Sequence, residues 1–510
     1  MHGLVNLSAM SVRTIVAAIT SAATVSTLSA CSAGSTATQV GRVSGADVVV
    51  AATAPPASLD FTSTSGAAIP QALMSNVYET LVTVNKEGEI VPHLAESFDV
   101  SEDGLTYTFK LRPNVRFSNG DEFTADTAVF SINNVKENWT NGLKKQMDVV
   151  SSARAIDPHT LEVTLSRPSN RWLWSMGTLT GAMMTPNGID EIASNPIGTG
   201  PYTIARFVPN QSVSYEARQD YWSTPARANA AIRYYADAVS SVNALRTGDV
   251  DVVYGLQAPE LAESLSDEYN VEVGTTNGEI LLAMNNSRAP FDDQRVRLAA
   301  AHAIDRGAVS ATAFESMAVD TGGAFVAPTD PWFTGKDYAH YDPERARQLL
   351  AESGNPHPSL TIKVPSLPYA RNVAEIVYSQ LTEVGFDVTL ESIEFPAVWL
   401  SEVYKAADYE ATIIAHVEAR DLPNVFGSPE TYLRYDDPTT RELLAQADSA
   451  TTTEEQTRLT EQATARITEV MGSLTVGNIP SIVVTAPGVH GVEATQVTDS
   501  IDLAEITKES

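Results

Sequence analysis

The chemistry-bearing side chains gather at one strand end. Ala411 to His416 is an apolar run that reads as a strand, and it leads straight into Val417-Glu418-Ala419-Arg420-Asp421. Loops that leave strand ends are where side chains can point into a cleft. A carboxylate in such a place can hold an ammonium group, and an imidazole can accept a hydrogen bond or ligate a metal. No constellation for covalent chemistry competes with this cluster. The chain contains no G-x-S-x-G, H-E-x-x-H, G-x-x-x-x-G-K-S/T or G-x-G-x-x-G string. Its single cysteine, Cys31, leaves no thiol nucleophile in the body and no intrachain disulfide. The acid pairs Asp292-Asp293 and Asp436-Asp437 stand at helix starts or turns, where they act as caps. The expectation from these absences is a protein that is not an enzyme, with no cofactor and no metal site.

The elements that must position the cluster alternate helix with strand. Ala238 to Arg246 is an amphipathic helix stopped by Gly248, and Val250 to Tyr254 a buried strand. Ile280 to Met284 is another apolar strand. After Pro290-Phe291-Asp292-Asp293 a helix follows with Val296, Ala299, Ala300, Ala303 and Ile304 on one face. Asp342-Pro343 opens a helix with Gly354 past its end, and Ser359 to Val364 is a strand. Asn372 to Val384 is a helix closed by Gly385, and Phe386 to Ile393 a strand. This alternation is that of an α/β lobe. Further upstream, Gln71 to Thr80 reads as a helix. A strand meander runs through Val91 to Phe117 and is followed by a helix from about Thr127 to Glu137, with Asp126 as its N-cap. Trp172 to Met176 forms an apolar patch suited to core or to the lining of a cleft. A helix over Thr453 to Met471 precedes a return crossing over Val476 to Pro487, and Val492 to Ile506 should rejoin the first lobe.

At 510 residues the chain is too long for one ordinary core. Its 63 acidic and 33 basic residues give a formal charge of −30, which argues against a nucleic-acid partner. The segment Met1 to Ala30 has one basic residue, Arg13, then the uncharged run Thr14 to Thr27, ending in Leu28-Ser29-Ala30-Cys31. So short an apolar run with small residues at its end reads as a secretion signal, not a spanning helix. A Ser/Thr/Gly/Ala stretch to Gly45 would then be a flexible tether.

Separate blocks carry a family resemblance. Asn195 to Trp222, NPIGTGPYTIARFVPNQSVSYEARQDYW, combines a Gly-Pro corner, a hairpin and a closing Tyr221-Trp222. VPHLAESFDVSEDGLTYTFKLRPNVRF from Val91 and NNSRAPFDDQRVRLAAAHAIDR from Asn285 are equally distinctive. Together these resemble the extracytoplasmic solute-binding proteins of the dipeptide/oligopeptide/nickel type (family 5) that feed ABC importers. The tetrad Leu28 to Cys31 resembles the bacterial lipobox, in which the Cys thiol is acylated. The resemblance covers nearly everything from Val48 to Ile506.

What it implies is a type II, two-lobe periplasmic-binding-protein-like α/β fold, in the large peptide-binder variant. A signal peptide would occupy 1–30 and a tether 31–45. Lobe I would run over 46–284 with a small subdomain at about 56–190, lobe II over 285–475, and 476–510 would return to lobe I. Function follows as a monomeric, lipid-anchored receptor on the outer face of the cell membrane, handing oligopeptides to a permease. A nickel-chelate or other small-solute receptor is the alternative within the same fold; a peptide-processing enzyme and a surface adhesion protein are alternatives of other classes. Peptide recognition needs a carboxylate for the α-ammonium and a cation for the α-carboxylate. The resemblance assigns the first to Asp421, otherwise a loop acid paired with Arg420. It assigns the second to Arg371, otherwise a surface Arg at a helix start. His416 and Glu418 flank the same strand end, His416 as a wall residue or a metal ligand. Trp399 and Tyr432 are wall or core.

Overall fold

Two long strands organise the protein, for which a computed structural model describes residues 41–64 and 66–509. Asn270–Met284 and Leu474–Thr485 run antiparallel side by side. Their ladder breaks between Thr275 and Glu279 and again between Ile280 and Leu281. Breaks of this kind bend a strand and raise its twist. At one end the pair continues through Val252–Val253, Val48–Ala52, Ala230–Tyr234, Ser212–Ala217 and Tyr202–Val208. At the other it continues through Ala411–His416, Ser359–Pro365 and Asp387–Ile393, completing a ten-stranded mixed sheet. Val48–Ala52 lies between two parallel neighbours and is buried throughout, which explains its unbroken apolar sequence.

The buried apolar side chains divide at the break. Val50, Leu59, Phe61, Tyr78, Ile232 and Val252 pack with Val483, Ile501 and Leu503 from the chain's end. Beyond the break, Ile280, Leu282, Phe291 and Val296 pack with Ile362, Val377, Ile413 and Leu474. The molecule is therefore two-lobed, and the crossing strands belong to both lobes. A four-stranded antiparallel sheet, ordered Ala95–Val100, Thr106–Leu111, Thr160–Leu165 and Val150–Asp157, adds a small subdomain to the first lobe. The helix Ala125–Asn138 packs against it.

The Gly-Pro corner has a steric cause. A Cβ on Gly198 would lie 1.9 Å from the Val77 carbonyl oxygen, and one on Gly200 2.6 Å from that of Asn76. Neither glycine has positive φ, so close backbone approach is what excludes a side chain here. The corner clamps residues 76–78: Gly200 N donates to Val77 O and Tyr202 N to Asn76 O, both at 2.9 Å. Asn76 in turn holds the returning C-terminal segment, donating to Ile501 O at 2.7 Å and accepting from Leu503 N at 3.1 Å.

Some elements differ from the sequence expectation. The helix expected over Gln71 to Thr80 spans Ala68–Leu73 and gives way to a turn with Ser75 at φ 62°. Thr124, not Asp126, caps the Ala125–Asn138 helix, since Thr127 Oγ1 accepts from the Thr124 N–H at 3.0 Å. The strand expected over Ile280 to Met284 begins at Asn270. Its first half is mostly polar and partly exposed, so no apolar run betrays it. The leader and Cys31 lie outside the described residues. Arg42, near the end of the expected tether, is bound to Asp251 at 2.6 Å. Among the described residues no helix is long and apolar enough to cross a membrane.

Candidate functional site

A cavity of about 670 Å³ lies between the lobes, a volume suited to a small ligand. The first lobe contributes Tyr78, Glu79, His93, Arg171, Trp174 and the returning segment around Asp499 and Asp502. The second contributes Trp332 and the loop that leaves the Ala411–His416 strand, with Val417 to Arg420 and Leu422 to Asn424 on the wall.

Each wall residue is set by its element. Glu79 follows the clamped turn at 76–78 and is 3% exposed. It accepts from Tyr221 Oη at 2.6 Å and Trp222 Nε1 at 2.9 Å, and lies 3.0 Å from His93 Nε2. Burial pushes its carboxyl up, but these bonds outweigh burial and hold it below its ordinary range. The closing Tyr-Trp of the hairpin thus fastens an acid into the cleft. In the apolar patch at 172–176, Trp172 is core and Trp174 lines the cavity.

Asp421, His416 and Tyr432 form one hydrogen-bonded chain. His416 Nδ1 lies 3.0 Å from Asp421 Oδ2 and its Nε2 lies 2.8 Å from Tyr432 Oη. Asp421 Oδ1 accepts from Asn424 Nδ2 at 2.7 Å. Tyr432 also meets the edge of Trp399, whose Nε1 donates to Thr412 Oγ1 at 3.2 Å. In this arrangement Asp421, His416, Tyr432 and Trp399 stand behind the cavity wall and brace the loop that forms it, whereas Glu418 is on the wall. Arg371 is exposed in the first turn of the Pro368–Val384 helix and is not part of the wall. Ala370, Val373 and Ala374 take the buried face of that helix and turn Arg371 outward.

Sequence reasoning missed Arg420, Arg171 and the acids of the returning segment. The Arg420 guanidinium stacks on Trp174 at 3.6 Å and Trp332 at 5.2 Å. It donates to the Gly88 carbonyl at 2.7 Å and lies 3.9 Å from Asp330. Burial lowers its pKa to about 10 and raises that of Asp330 to about 6, with each partner opposing the other's shift. Arg171 Nη2 donates to Asn424 Oδ1 at 2.7 Å and, among the described residues, has no carboxylate within ion-pair distance. Asp499 and Asp502 line the cavity and are exposed, and loss of solvation there raises both carboxyls to about 6. Their positions could not be read from spacing, because the chain returns to the cleft from far downstream.

Among the described residues no group of three His, Cys, Asp or Glu side chains is arranged to hold a metal ion. The arrangement can bind and enclose a solute carrying both charges.

Comparison with known proteins agrees with this architecture. Residues 89–459 match the model of bacterial extracellular solute-binding proteins, family 5 (middle region). The glutathione-binding protein GsiB of Escherichia coli (strain K12) is 29% identical over 344 residues, 64% of this chain; the match spans 65% of that protein. Heme-binding protein A of Haemophilus influenzae is 28% identical over 444 residues, covering 77% of this chain and 80% of that one. Among solved structures, the dipeptide binding protein of Pseudoalteromonas sp. SM9913 in complex with Met-Leu superimposes with a TM-score of 0.77 at 20% identity. It covers 91% of this chain and 100% of its own. NikA of Brucella suis in complex with Fe(III)-EDTA gives 0.79 at 22% identity, with the same coverage. The fold is that of the two-lobe periplasmic binding proteins, and the chain belongs to the bacterial extracellular solute-binding proteins of family 5.

Proposed function

We propose that this protein is a lipid-anchored receptor of an ABC importer that captures short peptides between its lobes and presents them to the permease. The observation that carries the reading is the interlobe cavity, whose wall combines carboxylates with the guanidinium of Arg171, which no carboxylate among the described residues pairs. A zwitterionic peptide needs both charges met, and the cavity's volume lies within the range of small-ligand sites. Ligand recognition through both lobes couples binding to closure. In this reading lobe II spans 285–475, the chain on either side builds lobe I, and Cys31 carries the anchor.

Native mass spectrometry of the leader-free protein as purified, followed by denaturing release, tests the proposal. A heterogeneous set of short peptides is expected. A metal chelate or one defined non-peptide solute would overturn it. Anchoring is tested separately: Cys31→Ser in the full chain should move the protein from the membrane fraction to the soluble one.

A further inference from the structure

A buried carboxyl stands where the lobes divide. Glu279 is the first residue paired after the ladder break in the crossing strands, opposite Asn478 on one side and His416 on the other. It is 4% exposed, and among the described residues its Oε2 has no hydrogen-bond partner. Side chains take over here from the broken ladder. Asn478 Nδ2 donates to Thr276 O at 2.9 Å, and Thr276 Oγ1 donates to Ile479 O at 2.8 Å. The first of these bonds fixes which way the Asn478 amide faces. Its Oδ1 therefore points away from Thr276, and that buried oxygen also has no partner among the described residues.

Residues directly opposed in an antiparallel ladder point to the same face, with Cβ atoms about 5 Å apart. Glu279 and Asn478 thus set two lone acceptors side by side in the protein interior. The charged donors of the neighbouring loop are engaged elsewhere. His416 spends Nδ1 on Asp421 and Nε2 on Tyr432. Arg420 gives Nη2 to Gly88 O and turns Nε toward Asp330, 3.9 Å away. The charges that act on Glu279 are the carboxyls of Asp330 and Asp421. A proton on Oε2 turns one of the two acceptors into a donor and satisfies the other. Burial and both carboxyls push the Glu279 pKa up, against the pull of its own backbone N–H.

We infer that Glu279 serves as a neutral acid, whose O–H donates to Asn478 Oδ1 and pins the two crossing strands together beside the pivot between the lobes. Both strands belong to both lobes, so the pin stays in place as the lobes move. A charged pin would set a third carboxylate beside Asp330 and Asp421. The neutral one supplies a hydrogen bond without that repulsion. The inference rests on the two-lobe architecture and is independent of which solute the cleft takes.

Thermal melts of the ligand-stripped, leader-free protein and its Glu279→Gln variant test it, since Gln keeps an N–H donor and cannot ionise. Above the ordinary value of 4.5 the unfolded chain releases the Glu279 proton, while the folded chain keeps it. The wild type should therefore lose stability relative to the variant as pH rises. The two should melt within about 1 °C of each other at pH 4, and the variant about 2 °C or more above the wild type at pH 8. A wild type that gains on the variant with rising pH would mean that Glu279 works as a carboxylate, and it overturns the inference, as does a difference that pH leaves unchanged. Infrared spectra at pH 8 give a second reading that does not depend on stability. The carbonyl stretch of a protonated carboxyl should appear in the wild type and shift when the protein carries isotope-labelled glutamate, which identifies it without any variant. Asp330, Asp499 and Asp502, each raised only to about 6, are ionised at that pH. Absence of the band overturns the inference. Glu279→Leu and Asn478→Leu each remove one side of the bond, so their losses in melting temperature should not add. Strict additivity would overturn the donation to Asn478.

Discussion

The guanidinium of Arg420 lies 3.6 Å from the centre of the Trp174 ring, and the two residues belong to opposite lobes. The same group donates to Gly88 O across the same joint. With its pKa lowered only to about 10, Arg420 remains a cation at neutral pH. A desolvated cation–π contact is worth about 2 kcal/mol, and a charged hydrogen bond about 1.5–3 kcal/mol. Arg420→Ala should therefore speed ligand release by about tenfold or more. Asp330→Asn is best combined with it, so that no buried carboxylate is left without its cation. Stopped-flow tryptophan fluorescence measures the rate, since Trp174 itself reports separation of the lobes. An unchanged release rate would show that this joint does not hold the lobes together.

A second joint is built from helix ends. Asp448 accepts from Ser169 Oγ at 2.9 Å and from Arg171 N at 3.0 Å, serving the start of the Asn170–Ser175 helix. Asn170 Nδ2 donates back to the Ala447 and Ala450 carbonyls at 3.0 and 2.8 Å, where the Pro438–Ser449 helix ends. Each lobe thus satisfies backbone groups that the other's helix leaves open. Because the two caps form together, the losses in Asn170→Ala and Asp448→Ala should not add. A double-mutant cycle on ligand affinity should return a coupling of about 1 kcal/mol. Strict additivity would mean that the two contacts act separately.

The sequence carried the lobes more clearly than the site, for physical reasons. Helix stops such as Gly248, Gly354 and Gly385 occupy left-handed positions, so local chemistry marked those boundaries. The polar half of Asn270–Met284 escaped notice because partly exposed strands lack an apolar run. Asp421, His416 and Tyr432 were singled out one by one, yet their shared hydrogen-bond chain depends on how a strand end meets a distant loop. Trp174 and Asp499 take their place in the cleft from tertiary contacts that leave no periodic trace.

The acids of the cavity wall give closure a pH dependence of defined sign. Asp499 and Asp502 have carboxyls raised from 3.8 to about 6, first by burial and then by Glu418 and Glu505 respectively. Well below the ordinary value of 3.8 both are protonated whether the lobes are open or closed, and no penalty arises. Between about 4 and 6 only the closed form keeps the protons, so closure of the ligand-free protein weakens as pH rises. Above 6 the penalty is constant. Because both side chains are exposed, screening holds the effect to about 1 kcal/mol each. Small-angle scattering on ligand-free protein should show a larger radius of gyration at pH 7.5 than at pH 4.5. Asp499→Asn with Asp502→Asn should flatten that difference, leaving the residue due to Asp330, which is also raised to about 6. A radius that grows on acidification would reverse the assignment.

The two residues assigned to the ends of a peptide should respond to mutation in opposite ways. Asp421 is 7% exposed and anchors the wall loop through His416 and Asn424. Asp421→Ala leaves His416 Nδ1 and the Asn424 amide without their acceptor, at a cost of about 1–3 kcal/mol for buried polar groups. Glu418, Arg420 and Asn424 all ride on this loop, so affinity should fall by about tenfold even though Asp421 itself stands behind the wall. Tyr432→Phe removes only the partner of Nε2 and should cost less than Asp421→Ala. Arg371 is exposed on its helix, and Arg371→Ala should change affinity by less than about twofold, as surface substitutions do. Calorimetry with one peptide on all three variants decides the matter. A large loss in Arg371→Ala beside a small one in Asp421→Ala would mean that the ligand-bound lobes bring Arg371 to the peptide, and that Arg171 is not the guanidinium that meets its carboxylate.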